Sequence, residues 1–532
     1  MAKQGLYKGT VILALAGFFT KLIGALYRIP LARLLGAEGM GLYQMAYPLY
    51  TMLLALSAAG MPVAVSILVA DKLSRHDRFG ANRVLKASFF IMALVGAVFS
   101  FAVYWGAGFA ANSILHEPRA YYAIVAIAPA VFFASLSAVF RGYFQGFQEM
   151  GPTALSQIVE QLVRVATVLL LVYYLLPFGL EIAAAGAAFG AVTGGIASLL
   201  LLIIVFKRVR KREMVNYRAK TPGEGIFSVG PRLASIALPL SLGGIVLPLM
   251  QVVDASIVPL RLQAAGYSPS QATEQFGQLA GMAATLINLP AIITVALATS
   301  LVPAVYEAFA SRNNYLVRSR IRTALRATVL LMLPASVGLW ALATPISVLL
   351  YDLAEVGRPL KWLAPGILFF GLYQVCAGAL QGLGKTYLPA VHLLVGVVVK
   401  SYLSYWLVTW PFLGINGAAL ATVIGFIVAF VLNYKALKRL TNSGFSWRSI
   451  PLLKPGIASG LMLIIVYLSY GCLEPVLGNN ISTLFTVVIG ACAYGIALLI
   501  VGAVEANDLE HLPGGPFKTG TVNVLKKFRL LK

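Results

Sequence analysis

Acidic residues are scarce in this chain: 18 Asp and Glu stand against 41 Lys and Arg in 532 residues. Charge of both signs together makes up 11% of the sequence, where soluble domains carry roughly 25%. With 59% hydrophobic residues and a mean hydropathy of +0.85, no water-surrounded core has room for this much apolar sequence, and the bilayer is the expected solvent. Cysteine is almost missing. Cys376, Cys472 and Cys492 lie far apart within apolar runs, which excludes a disulfide framework and a zinc set. There is no H-E-x-x-H and no G-x-S-x-G, so neither a metalloprotease nor a serine hydrolase is written here. The net charge of +23 would suggest nucleic acid in a soluble protein. Here the basic residues fall in short segments between apolar runs, where membrane topology accounts for them, and no nucleic-acid partner is expected.

What the chain has in abundance is apolar runs of about 20 residues, the length of a spanning helix. Fourteen spans are expected, near 9–32, 42–70, 87–110, 120–146, 155–176, 184–206, 233–258, 277–305, 327–350, 362–381, 388–408, 415–434, 455–473 and 482–503. The first is long for a signal-peptide core and no small-residue cleavage site follows it, so it is read as retained. An even number puts both termini on one side. Loops on that side hold thirty-one Lys and Arg, and loops on the other side hold five. The bias predicts cytoplasmic termini in a multi-pass protein of the cell membrane.

The halves repeat. RGYFQGFQEMGPTA from Arg141 aligns with AGALQGLGKTYLPA from Ala377 as G-x-x-Q-G, and the same register sets Arg164 against Lys400. AAAGAAFGAV from Ala183 resembles GINGAALATV from Gly414. Spans 1–6 and 7–12 therefore read as two parallel copies, a transporter architecture, with spans 13 and 14 appended as a hairpin. The expected division is an N-terminal lobe over 1–206, a basic linker over 207–232, a C-terminal lobe over 233–434, the hairpin region over 435–503 and a cytoplasmic tail over 504–532. The fold class is all-α integral membrane protein.

Five cations fall inside these spans: Lys21, Arg28, Arg141, Arg164 and Lys400. Glu160 and Asp254 are the acids at similar depth. An ionised group at a helix centre costs roughly 2.5–3.5 kcal/mol on insertion scales, so most of the seven must face water, a partner or a substrate. Their excess of positive charge points to an anionic passenger. Lys21 and Arg28, seven apart, share one helix face about 10 Å apart along the axis. Glu160 and Arg164, four apart, suit an ion pair. Arg141 is expected near the cytoplasmic rim, and Asp254 is a candidate partner for Lys400 or an ion-coupling site. Pro30, Pro62, Gly243, Gly244, Pro248 and Pro290 crowd the first two spans of each half, where helix breaks serve as hinges or gates. His116 and Glu117 are expected in a solvated loop. GALQGLGKT from Gly378 lacks the first glycine of a phosphate loop, and no nucleotide is expected there. The tail VNVLKKFRLLK reads as a basic interfacial helix on anionic lipids.

The opening GTVILALAGFFTKLIGALYRIPLARLLGAEGMGLYQMAYPLY, followed by GMPVAVSILVADK, resembles the stage V sporulation protein B and MurJ-like flippases of the multidrug/oligosaccharidyl-lipid/polysaccharide exporter superfamily. The resemblance runs over the whole chain. It implies a V-shaped, two-lobed, alternating-access transporter that moves an undecaprenyl-diphosphate-linked saccharide, lipid II foremost, from the inner to the outer leaflet. It implies a cation-lined cavity, with Lys21 and Arg28 in the cationic span, and no cofactor beyond coupling to an ion gradient or the membrane potential. The protein is expected to act as a monomer. One departure is plain: MurJ-like members commonly carry basic residues in spans 2 and 8, and this chain does not. Competing readings are another lipid-linked oligosaccharide flippase, a cation-coupled drug exporter, which the basic first span disfavours, and a membrane glycosyltransferase, for which there is no motif or loop mass.

Overall fold

A computed structural model describes residues 6–213, 226–441 and 452–503. Helices dominate them, and no strand occurs among the described residues. The first half contains α1 (Leu6–Leu26), α2 (Arg28–Ala58), α3 (Met61–Ser74), α4 (Arg78–Phe109), α5 (Tyr121–Gly146), α6 (Met150–Leu175) and α7 (Leu180–Glu213). The second contains α8 (Ile226–Gly244), α9 (Val246–Ala264), α10 (Pro269–Phe276), a π-helical turn over Gly277–Ala283, α11 (Ala284–Ala310), α12 (Asn314–Ala341), α13 (Ala343–Tyr351), α14 (Gly357–Leu363), α15 (Gly366–Gly382), α16 (Tyr387–Leu407) and α17 (Ile415–Leu440). The last helix, α18 (Leu453–Ile500), is followed by the tail; the proposed tail helix and linker residues 214–225 lie outside the described residues.

Among the described residues, ten helical runs are long and apolar enough to cross a membrane, or twelve if each of two bent pairs counts as one span. The longest two, of 64 and 48 residues, are interrupted at Gly36 (φ 67°) and Gly478 (φ 70°). A positive φ is inexpensive for glycine and reverses the helix direction there. Splitting each at its glycine recovers the fourteen expected crossings. The outward faces confirm the solvent. On α4, Phe90, Leu94, Val98, Phe101 and Trp105 form an exposed stripe at helical spacing, opposite the buried Ala81, Val84, Leu85 and Met92. So large an apolar face is stable only against lipid.

The described residues fall into two compact units. The first runs up to Thr285 and adds Ser401–Ile415; the second holds Leu286–Lys400 and the described residues from Asn416 onward. The division lies inside the eighth expected span, because the start of that span is locked onto α2. A Cβ at Gly41 would collide with the Thr273 carbonyl, and one at Gly277 would collide with the Ala37 carbonyl. The two contacts are each other's image under the repeat. The Gln44 side-chain amide donates to the Ala280 carbonyl (2.7 Å), again across 236 positions.

The repeat also governs packing inside each unit, at the same offset for the glycines of α5 and α15 and at one five residues shorter for Gly194 and Gly425. Gly142 and Gly146 of α5 lie on Pro62, Val65 and Val69, while Gly378 and Gly382 of α15 lie on Ala298, Val302 and Val305. Gly194 meets the Glu160 carbonyl and Arg164 Cβ, while Gly425 meets the Gly396 carbonyl and Lys400 Cβ. The repeat is thus a repeat of helix crossings as well as of letters. Gly142→Val should lower the thermal unfolding midpoint, because its Cβ would stand 2.7 Å from the Pro62 carbonyl oxygen. Overpacking of this kind costs about 1–3 kcal/mol. Gly17→Val, with nothing within 4 Å, should leave the midpoint unchanged in the same melt.

In the second unit, the appended hairpin packs on α12 and α13 through Leu342, Ala458, Met462, Val466, Tyr494 and Ala497. The Tyr494 hydroxyl donates to the Leu330 carbonyl (2.9 Å), and Arg326 donates to the Ala503 carbonyl (2.8 Å).

Candidate functional site: two arginines around Tyr47

Pro30 has no N–H, so the Leu26 carbonyl loses its helical partner and the ladder breaks at Tyr27, between α1 and α2. Lys21 and Arg28 therefore do not share one uninterrupted helix. The direction nevertheless carries through, since Tyr27 keeps helical angles and the bonds Tyr27 N–H to the Ile23 carbonyl (3.0 Å) and Leu31 N–H to the Tyr27 carbonyl (3.1 Å) remain. Between the two cations, a Cβ at Gly24 would stand 3.4 Å from the Gln161 side chain, so this side of α1 runs along α6.

That face of α6 is polar: Gln157, Glu160, Gln161 and Arg164 recur at helical spacing. Glu160 accepts from two guanidiniums, Arg141 (2.7 Å) and Arg164 (2.8 Å). Arg141 is held further by Ser156 (3.0 Å) and Ser198 (2.9 Å). Its side chain is folded between α6 and α7, held by these hydroxyls and the carboxylate. Arg164 Nη1 reaches the Tyr47 hydroxyl at 3.5 Å, and Arg28 stands over the Tyr47 ring, 5.7 Å from its centroid. Tyr43, Tyr47 and Tyr50 form a ladder on α2, with centroids 5.5 and 5.8 Å apart, and Tyr27 is hydrogen-bonded to Tyr43 (3.2 Å).

Arg28 and Arg164 thus flank one tyrosine, and the Nε of each is buried without a hydrogen-bond partner among the described residues. A buried donor left unmade costs about 1–3 kcal/mol, which an anionic ligand would recover. Guanidinium forks match phosphate oxygens in geometry. Lys21 is exposed on α1. Lys400 is buried in the second unit, and Asp254 is half-buried on α9. Tyr47, Ser156 and Ser198 were not foreseen. A tyrosine in a span signals little by itself, although the i, i+4, i+7 spacing of Tyr43, Tyr47 and Tyr50 was a usable clue.

A second cluster joins α2 and the α4–α5 turn to α10. Arg119 binds Glu117 through Nε (2.8 Å) and Nη2 (2.8 Å), and Glu38 through Nη1 (2.6 Å). Ser270 donates to Glu38 and Thr273 to Glu117. The expected solvated loop is corrected here: Glu117 is 2% exposed, because the turn folds beneath α10 and the carboxylate finds two partners there. Burial alone would raise the Glu117 carboxyl, but hydrogen bonds from Arg119 and Thr273 and the Arg119 charge outweigh it and hold it below the usual range. A depressed folded value means the carboxylate's contribution is whole above its unfolded value, about 4.3, and is lost as pH falls through the folded one. Hydrogen-exchange protection at the α4–α5 turn, corrected for the intrinsic pH dependence of exchange, should therefore stay flat between about pH 5 and 8. Only more acidic conditions should loosen this clasp, as monitored by hydrogen exchange at the α4–α5 turn.

The gate candidates are placed as follows. α2 and α3 are separated at Ala59–Gly60, with Pro62 at the start of α3; the Gly60 N–H donates to Ser241 Oγ (3.2 Å) on α8. Gly243 and Gly244 end α8, and the chain bends by 57° into α9, whose first turn holds Pro248. Pro290 lies in α11, shortly after the π-helical turn.

Against known proteins, residues 6–265 match the family described as polysaccharide biosynthesis protein, and residues 278–406 match MatE. Stage V sporulation protein B of Bacillus subtilis (strain 168) is 33% identical over 521 residues, covering 96% of this chain and 98% of that one. The chain belongs to the stage V sporulation protein B family. Within this family's wider exporter superfamily, lipid II flippase MurJ of the same organism is 29% identical over 93% of this chain and 95% of its own. A solved structure of lipid II flippase MurJ in an inward closed conformation superposes with a TM-score of 0.69 at 18% identity, covering 92% of this chain and 98% of that one. An inward-facing multidrug resistance MATE family transporter superposes at 0.66 and 16% identity, covering 80% and 96%. These likenesses establish the two-repeat fold. The family is one of membrane transporters rather than enzymes. Among the described residues there is no group of three His, Cys, Asp or Glu able to hold a metal.

Proposed function

We propose that this protein is a flippase for a lipid-linked diphosphate saccharide, lipid II in the first instance, carrying it from the inner to the outer leaflet. The observation that carries this reading is the pair of incompletely bonded guanidiniums, Arg28 and Arg164, around Tyr47. The diphosphate docks on that pair, with Lys21 as the approach, while the prenyl tail stays in lipid. No covalent chemistry is needed. The likeness to lipid II flippase MurJ and to stage V sporulation protein B supports the substrate class. Three guanidiniums disfavour a cationic drug as passenger. Both termini are cytoplasmic in this reading, which places the Glu38–Arg119–Glu117 clasp on the outer face as its gate. The test is exchange of labelled lipid II between leaflets of proteoliposomes; a wild-type protein that moves none of it refutes the proposal.

A further inference from the structure

The seat contains a charge that a phosphate site should not want. Glu160 lies between Arg141 and Arg164, with Arg28 on the other side of Tyr47, and its two oxygens are each taken by one guanidinium. A bland explanation is that it steadies the crossing of α6 on α7. The protein's own repeat argues otherwise. In the second copy the equivalent crossing has Gly396 for Glu160, Lys400 for Arg164 and Ala377 for Arg141. The glycine contacts are the same there, with Gly425 on the Gly396 carbonyl and Lys400 Cβ as Gly194 is on the Glu160 carbonyl and Arg164 Cβ. The crossing therefore forms without a carboxylate. Nor does stability call for the network as a whole, since buried ion networks are often no better than apolar packing of the same volume.

Charge counting gives Glu160 a different task. Three guanidiniums and one carboxylate leave two positive charges. A diphosphate diester carries one negative charge on each phosphate. We propose that Glu160 is a specificity-determining residue that trims the seat to the charge of a diphosphate diester, so that the loaded site is near neutral and the ligand can leave. This deepens the functional reading above and rests on it. Without Glu160 the seat is over-positive, and it grips the diphosphate and releases it slowly. A transporter must bind weakly enough to let go, so a tighter seat is a slower one. Among the described residues, the acids on the elements facing Glu160 lie elsewhere: Glu38 of α2 is taken by Arg119 and Ser270, and Glu181 is in the first turn of α7, whose last residue is Glu213. Toward Glu160 those elements present Arg141 on α5, Ser198 on α7, Tyr47 and Tyr50 on α2, and Gln157, Gln161 and Arg164 on α6 itself.

The test uses the full chain in nanodiscs of neutral lipid with two probes, farnesyl-diphosphoryl-N-acetylglucosamine and its monophosphoryl counterpart. Wild type should prefer the diphosphate. Glu160→Gln keeps the side-chain shape and should bind the diphosphate about tenfold more tightly. Its translocation rate should fall. Arg141→Gln combined with Glu160→Gln restores two positive charges and should return affinity to near the wild-type value. A merely structural role predicts the opposite, with the second substitution adding damage. Unchanged or weaker binding by Glu160→Gln, or a double variant as tight as the single, overturns the inference. If the wild type binds neither probe, the flippase reading itself fails, and the inference with it.

Discussion

Replacing both seat arginines, as Arg28→Ala/Arg164→Ala, is expected to abolish leaflet exchange while leaving a folded protein. A hydrogen bond between charged partners contributes about 1.5–3 kcal/mol, so losing two guanidiniums removes about 3–6 kcal/mol from diphosphate binding. At 1.4 kcal/mol per factor of ten, that is a loss of roughly 10²–10⁴-fold. Folding should survive, because neither Nε has a partner to lose and Glu160 keeps Arg141 at 2.7 Å. The single variants should be intermediate, with Arg28→Ala cleaner, since Arg164→Ala also frees one oxygen of Glu160. Binding and exchange assays should fall together, while size-exclusion profile and helical content stay as in the wild type.

The second large effect is expected at the clasp. Arg119→Ala removes three bonds to two carboxylates and leaves Glu117, at 2% exposure, without its cation. Truncating one member of a buried charge pair costs 2–5 kcal/mol. Arg119 itself is 30% exposed, so the lower end applies, about 2 kcal/mol, or roughly a thirtyfold shift. Since the clasp ties α2 and the α4–α5 turn to α10, the shift should appear as opening at that face. Labelling of Ala272→Cys, buried on α10 beside the clasp, by a membrane-impermeant thiol reagent should rise by that factor in Arg119→Ala. Labelling equal to that of Ala272→Cys alone would show that the glycine crossing at Gly41 and Gly277 holds the face by itself.

How much of this was legible in the sequence depends on the range of the interaction. Spans and repeat were readable, because apolar runs and basic loops are local signals and the two copies share a register. The Glu160–Arg164 pair was readable for the same reason, being one helical turn apart. The clasp was not. Glu38 and Arg119 are 81 positions apart, and Glu38 and Ser270 are 232 apart. A short charged turn looks solvated until α10 is laid over it, which is why Glu117 was misplaced. The partners of Arg141, Ser156 and Ser198, were not readable either, because they come from two other helices. The break at Tyr27 was half visible in Pro30, whose missing N–H announces a fault one turn earlier without saying whether the helix direction survives. The crossing of Gly41 with Thr273 and of Gly277 with Ala37 could have been sought once the 236-residue offset was known.

The central claim is that a lipid-borne diphosphate crosses by way of Arg28 and Arg164. Its most direct test is leaflet exchange of labelled lipid II in proteoliposomes, with wild type and Arg28→Ala/Arg164→Ala measured side by side. The account predicts exchange by the wild type and only the protein-free background rate with the double variant. Equal exchange by both proteins, or none by the wild type, would contradict it.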